Sequence, residues 1–316
     1  MMDSKSRISG PISVIALIIS TISVAILLLS FKSHSDTATV TQHVDSTCMF
    51  NLPAIPDTVY FCGEIVPLNN IDVYESLEKE LISNMYFHSQ TMQIYLRSGR
   101  FFPLIEKILA EYDVPDDLKY IAAAESALTN ARSPAGAIGY WQILESTGSE
   151  YGLEINKEVD ERYHIAKSTE FAAKFLKHSY QKFGNWTMAT ASYNRGKNGI
   201  RKQIERQKDS SYYNLLLNSE TARYVYRIIA LKLILESPES YGFCMFSHIK
   251  HKPHKTKEIT INQGVKNFAD FAIEHKTNYK VLKILNPWLR ENYLTNSRQK
   301  EYIILIPKNN SQLKRD

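Results

Sequence analysis

Tyr120-Ile121-Ala122-Ala123-Ala124-Glu125-Ser126 leads into Ser133-Pro134-Ala135-Gly136 and then Gly139-Tyr140-Trp141-Gln142. A single carboxylate thus ends an apolar run and is followed by a turn and an aromatic pair. Upstream, Val114-Pro115-Asp116-Asp117 opens a helix, with proline suited to the first helical position and acids to the first turn. Leu118, Ile121, Ala122 and Ala124 provide a face to bury. Glu125 then falls near the helix C-terminus, where the macrodipole disfavours negative charge, and a dry setting acts in the same direction. Both raise the pKa, as an acid that donates a proton near neutral pH requires. Alone, Glu125 also reads as an ordinary glutamate at a helix end. The downstream residues decide between the two.

Four stations follow in order: Glu125-Ser126, Gly139-Tyr140-Trp141-Gln142, Ser192-Tyr193-Asn194-Arg195-Gly196 and Glu220-Thr221-Ala222-Arg223-Tyr224-Val225. A groove for a ring-bearing ligand needs flat apolar faces for the rings and amides for their polar edges. Tyr140 and Trp141 supply faces, and Gln142 and Asn194 supply amides, although Trp141 reads equally as a core aromatic. Gly136 and Gly139 suit a loop that passes close to a ligand. Asp160-Glu161-Arg162 reads as a structural ion pair.

These stations resemble the catalytic domain of bacterial lytic transglycosylases of the membrane-bound murein transglycosylase D type. Tyr140 stands where the family more often has leucine, and Ser192 where it has alanine. The resemblance covers about residues 53–243 and implies a mainly α, lysozyme-like fold. It implies cleavage of the β-1,4 bond between N-acetylmuramic acid and N-acetylglucosamine without water, leaving 1,6-anhydro-muramoyl ends. Glu125 is then acid and base in turn, with Tyr193 reaching it, and Ser126, Tyr140, Trp141, Gln142, Tyr193, Asn194 and Tyr224 are the substrate-binding residues. Because the attacking hydroxyl belongs to the substrate, no second catalytic carboxylate, metal or cofactor is called for. Two alternatives stay open: a hydrolytic muramidase drawing on Asp160 or Glu161, and a non-catalytic peptidoglycan-binding scaffold.

A chain of 316 residues allows two modest domains. Its net charge of +5 is scattered, which argues against a nucleic-acid arm and suits a peptidoglycan strand bearing carboxylates. Cys48, Cys62 and Cys244 show neither metal spacing nor a disulfide framework; in an oxidising compartment Cys62 and Cys244, which flank the catalytic region, are the candidate pair. Residues 8–31 carry no charge, and Lys5 and Arg7 precede them. Residues 1–31 therefore read as a cytoplasmic N-terminus and a signal-anchor transmembrane helix of the inner membrane, with the catalytic domain in the periplasm. The alternative is a cleaved signal releasing the protein into the periplasm. Residues 32–52 read as a polar tether.

The periodicity of Val73, Leu77, Leu81, Met85, Ile94, Leu104, Ile105 and Ile108 predicts helix, as do the patterns at about 168–183, 186–195 and 219–236. A polar, basic linker follows at 244–257. Residues 258–308 read as strand (258–261), helix (265–275), helix (279–285) and strand (302–307), with Asn286-Pro287 between the last two. That order resembles a LysM module, a small βααβ unit binding N-acetylglucosamine-containing chains. Its opening Tyr-x-Val-x-x-Gly-Asp signature is missing here, with Ile259-Thr260-Ile261 and Asn262-Gln263-Gly264 in its place, so sugar binding and a packing role are both open. A module beyond a linker is expected to act by local concentration on a polymer and to add nothing on short glycans.

Overall fold

A computed structural model describes residues 52–244 and 249–308. The expected transmembrane helix, nearly all of the tether and Cys48 lie outside the described residues. Among those described, no helix is long and apolar enough to cross a membrane.

The chain begins with a short hairpin, β1 (Tyr60–Phe61) and β2 (Glu64–Ile65). The long apolar periodicity then resolves into two helices, α1 (Ile71–Tyr86) and α2 (His88–Glu111), because Phe87 leaves the helical region at φ −91°, ψ 53°. Asn70 caps α1 by accepting from the Asp72 amide at 3.0 Å. A 3₁₀ turn at Asp116–Leu118 leads into α3 (Lys119–Ser126), which ends where Ala127 and Leu128 turn left-handed at φ 50° and 56°. The short α4 (Glu145–Glu150) is followed by α5 (Ile165–Phe183), stopped by left-handed Gly184. Next comes α6 (Trp186–Arg195), capped by Asn185 and also by the Glu64 carboxylate, which accepts from the Trp186 and Thr187 amides at 2.5 and 3.0 Å. A carboxylate on free amides at a helix start is favoured by both hydrogen bonding and the dipole. The hairpin and α7 (Lys197–Gln207) have no counterpart in the periodicity reading, since one is too short to alternate and the other is highly polar. The last helix of this region is α8 (Ser219–Glu236). It packs on α1, where buried Glu80 pairs with Arg223 and, at 3.6 Å, with Arg227. One apolar core holds these helices, with Leu77, Leu109, Leu118, Ile121, Trp141, Leu176, Met188 and Ile229 all at or near zero exposure.

The C-terminal region is mixed. β3 (Thr256–Ile261) pairs antiparallel with β4 (Tyr302–Pro307), and α9 (Phe268–Glu274) and α10 (Tyr279–Leu285) lie between them in sequence. Asn286 is fully buried because it substitutes for a strand: its amide donates to the Leu282 and Leu305 carbonyls and its oxygen accepts from the Leu305 amide. Phe268, Leu282, Trp288, Leu289, Ile304 and Ile306 form the core here, and Val159 of the helical region joins it.

No gap separates this module from the helices. Residues 249–255 lie along α2, with the His251 amide donating to the Leu96 carbonyl and Arg100 Nε to the Lys252 carbonyl. Gly99 permits that approach, since a Cβ there would stand 2.5 Å from the Lys250 Cβ. The polar composition of the segment reflects a docked strap, most of whose side chains face water.

Candidate active site

Glu125 is the last residue but one of α3, half-buried, with Ile121, Ala122 and Ala123 of the same helix at zero exposure. Burial is the main cause lifting its carboxyl from 4.5 to about 7; the Tyr224 hydrogen bond and the charge of Arg227 oppose the rise, and Glu220 adds to it. Tyr224, on α8, donates its hydroxyl to Glu125 Oε1 at 2.5 Å. Burial and the Glu125 charge push the phenols of Tyr224 and Tyr193 well above their ordinary value, so both remain donors.

Residues 131–143 form a tight excursion beside α3. The Ser133-Pro134-Ala135-Gly136 turn is closed by the Ser133 amide on the Ala137 carbonyl and by the Ala137 amide on Ser133 Oγ. Gly139 sits at φ +85°, and a Cβ on it would lie 2.1 Å from the Arg162 carbonyl oxygen, so glycine is required twice over. Ser126 Oγ ties this excursion to α3 by donating to the Tyr140 carbonyl at 2.8 Å. Gln142, itself left-handed at φ 49°, donates from Nε2 to the Ala131 and Gly139 carbonyls. Its amide nitrogen therefore shapes the loop.

Two of the expected contacts are made differently. Trp141 has zero exposure and its Nε1 donates to Thr169 Oγ1 at 2.9 Å, so it is a core aromatic and offers no face to a sugar. Tyr193 donates to the Trp141 carbonyl at 2.8 Å and not to Glu125, because Trp141 filling the core places that carbonyl in its path. Tyr140 is 8% exposed and packs on Phe101 with ring centroids 4.8 Å apart, leaving little of its face open. Asn194 is spoken for on both sides: Nδ2 donates to Glu220 and Oδ1 accepts from Thr221. The Glu220-Thr221 pair that orients it was visible in the sequence only as part of a station. Arg97, which donates to the Ala127 carbonyl and so pins the turn just after Glu125, carried no sequence signal.

Asp160 and Arg162 form a buried bidentate pair, Nε and Nη2 lying 2.9 and 2.8 Å from the carboxylate oxygens. Glu161 accepts from the Glu154 amide. Cys62 and Cys244 are both free thiols and do not pair: Cys62 is held at the hairpin turn, its amide on Asp117, whereas Cys244 is exposed. Among the described residues no cluster of His, Cys, Asp or Glu fits a metal ion. A cavity of about 500 Å³ opens on the C-terminal module, lined by Asn262, Gln263, Lys266, Asn267, Asp270 and Phe271 among others.

Two regions of the chain match known domain families. Residues 103–216 match the transglycosylase SLT domain, and residues 257–310 match the soluble lytic transglycosylase C-terminal LysM-like domain. Membrane-bound lytic murein transglycosylase D of Escherichia coli K12 is 32% identical over 179 residues, covering 55% of this chain and 39% of that protein. The same protein from an O6:H1 strain gives the same figures. This chain therefore aligns with about two fifths of these relatives' length. The 70 kDa soluble lytic transglycosylase of Escherichia coli aligns over 48% of this chain and 26% of its own at 20% identity, with a TM-score of 0.38. The chain carries a transglycosylase SLT domain followed by the C-terminal LysM-like domain of soluble lytic transglycosylases.

Proposed function

We propose that the protein cleaves the β-1,4 bond between N-acetylmuramic acid and N-acetylglucosamine in peptidoglycan, leaving 1,6-anhydro-muramoyl ends. The observation that carries this reading is Glu125: a half-buried carboxyl with a pKa near 7, met by a neutral phenol and, among the described residues, by no direct cation. Such a group is protonated often enough to give its proton to the glycosidic oxygen and basic enough to take one back. Glu125 protonates the leaving oxygen, the substrate's N-acetyl group stabilises the oxocarbenium-like centre, and Glu125 then accepts the proton of the muramoyl C6 hydroxyl as that oxygen closes on C1. Tyr224 holds the carboxylate while it is charged. Ser126, Gln142 and Tyr193 shape the loop beside it, and Asn194 shapes the groove wall next to Glu220.

A hydrolytic muramidase is the second reading. Asp160 and Glu161 do not favour it, since both are engaged at the joint with the C-terminal module. Glu220 does favour it, as a second carboxylate whose charge Glu125 feels. Digestion of purified peptidoglycan followed by mass spectrometry separates them. Anhydro-muropeptides support the proposal, and reducing-end products with one added water overturn it.

The domain division follows the same reading: an anchor within residues 1–31, a tether at 32–52, the catalytic domain at 53–243, a linker at 244–257 and the LysM-like module at 258–308. The uncharged run 8–31, with Lys5 and Arg7 before it, supports an inner-membrane, periplasm-facing location, and the relatives' description as membrane-bound supports attachment to a membrane. The cavity on the module is where a glycan would lie if the module binds one.

A further inference from the structure

The C-terminal module and the Glu125 site are joined by a short path through residues 158–162. On the module side the joint is continuous. Val159 bridges Leu289 in antiparallel fashion and is 1% exposed inside the module's core. The Asp160 amide donates to the Trp288 carbonyl at 2.9 Å, and the Arg290 amide to the Glu158 carbonyl at 2.8 Å. Glu158 also accepts from the Thr295 amide and hydroxyl at 2.7 and 2.8 Å, and Tyr302 donates to Glu154. On the other side, Arg162 is locked to Asp160, and its carbonyl oxygen occupies the space that a Gly139 side chain would take. Gly139 accepts the Gln142 amide, and the neighbouring Tyr140 and Trp141 carbonyls hold Ser126 and Tyr193.

We propose that the C-terminal module is a positioning element of the active site: by seating residues 158–162 it presses the Arg162 carbonyl under Gly139 and fixes the loop that braces Glu125. The module thus acts on turnover itself, in addition to any grip it has on the polymer. Interiors are close-packed, so a shift on one side of such a contact is passed on. Small misplacement of groups around a reacting atom is costly even when the cause is remote. The proposal rests on the reading of Glu125 as the acid.

The test compares the full chain with Val159→Asp, which puts a carboxylate into the module's core, and with Val159→Ile, which keeps an apolar plug there. Both are assayed on a short soluble peptidoglycan fragment, on which a second binding module confers no avidity. The expected result is a fall in kcat of about tenfold or more for Val159→Asp with KM changed by less than about twofold. Val159→Ile should keep the parent kcat, and the far-ultraviolet circular dichroism of the helices should be unchanged. An unaltered kcat in a folded Val159→Asp protein overturns the proposal.

Should that variant fail to fold, Glu158→Ala decides through amide hydrogen exchange, which reads local opening directly. Faster exchange at Asp160 and Arg290 should be accompanied by faster exchange at Gly139 and Ile143. If Gly139 and Ile143 keep their parent protection while Asp160 opens, the two regions are uncoupled and the proposal fails. An inactive parent chain would instead remove the assignment of Glu125, and the exchange result would still judge the coupling.

Discussion

Glu125 and Asp160 are both carboxylates drawn away from water, and the fold treats them in opposite ways. Asp160 receives the guanidinium of Arg162 on both oxygens and the Arg162 amide as well. Glu125 receives one phenol, while the nearest influential cation, Arg227, is committed to Glu80. A buried charge that is fully paired is stable and chemically idle; one met only by a neutral donor keeps its proton to a much higher pH. The same side-chain chemistry therefore serves as a joint in one place and, on the proposed function, as an acid in the other. What distinguishes them is the counterion.

The largest effect should come from Glu125→Gln, which keeps the shape but cannot transfer a proton. A loss of roughly a hundred- to ten-thousand-fold in kcat is expected on peptidoglycan. Retention of more than about a tenth of the parent rate would put the chemistry elsewhere. The counterpart is Arg162→Leu, which strands Asp160 in the joint. Removing one partner of a buried pair costs about 3–5 kcal/mol, to be read as a lower denaturation midpoint, whereas Glu125→Gln should cost nothing comparable.

Glu125 also carries a pH dependence of stability whose sign is fixed. Glu125 has its pKa raised from 4.5 to about 7, so the fold favours its protonated form. That stabilisation is complete below the unfolded value and is lost as pH rises through the folded one. Because glutamine never ionises, Glu125→Gln should gain melting temperature relative to the parent between pH 4.5 and 7 and level off above. The gain should be at most about 3 kcal/mol. A flat difference across that range would mean that Glu125 is not desolvated.

The smallest effects separate the two tyrosines. Tyr224→Phe removes the donor that lowers the Glu125 pKa, so the alkaline limb of the rate profile should move to higher pH. A rate loss equivalent to about 1.5–3 kcal/mol should accompany it, as for hydrogen bonds to charged groups. Tyr193→Phe gives up a neutral bond to the Trp141 carbonyl, so about 0.5–1.5 kcal/mol of stability should go, with no movement of the limb. Exchange of these two behaviours would return Tyr193 to the acid.

The sequence alone was enough to place the main helices of the helical region and the order of elements in the module. Periodicity and capping are local: Ser219–Glu236 and Tyr279–Leu285 each need only an apolar stripe and a start or stop signal. It also singled out Glu125, because burial on a helix face and proximity to a helix end are both written in the neighbouring residues. The tertiary structure decided three matters. Trp141 went into the core and Tyr224, ninety-nine residues from Glu125 in the chain, took the carboxyl. Cys62 and Cys244 ended apart. The strap and residues 158–162 joined two regions that composition had separated. Each of these depends on which surfaces meet across long stretches of chain, and no local pattern encodes that. Only packing chooses which of two tyrosines reaches an acid, and whether a polar segment spans a gap or lies in a groove.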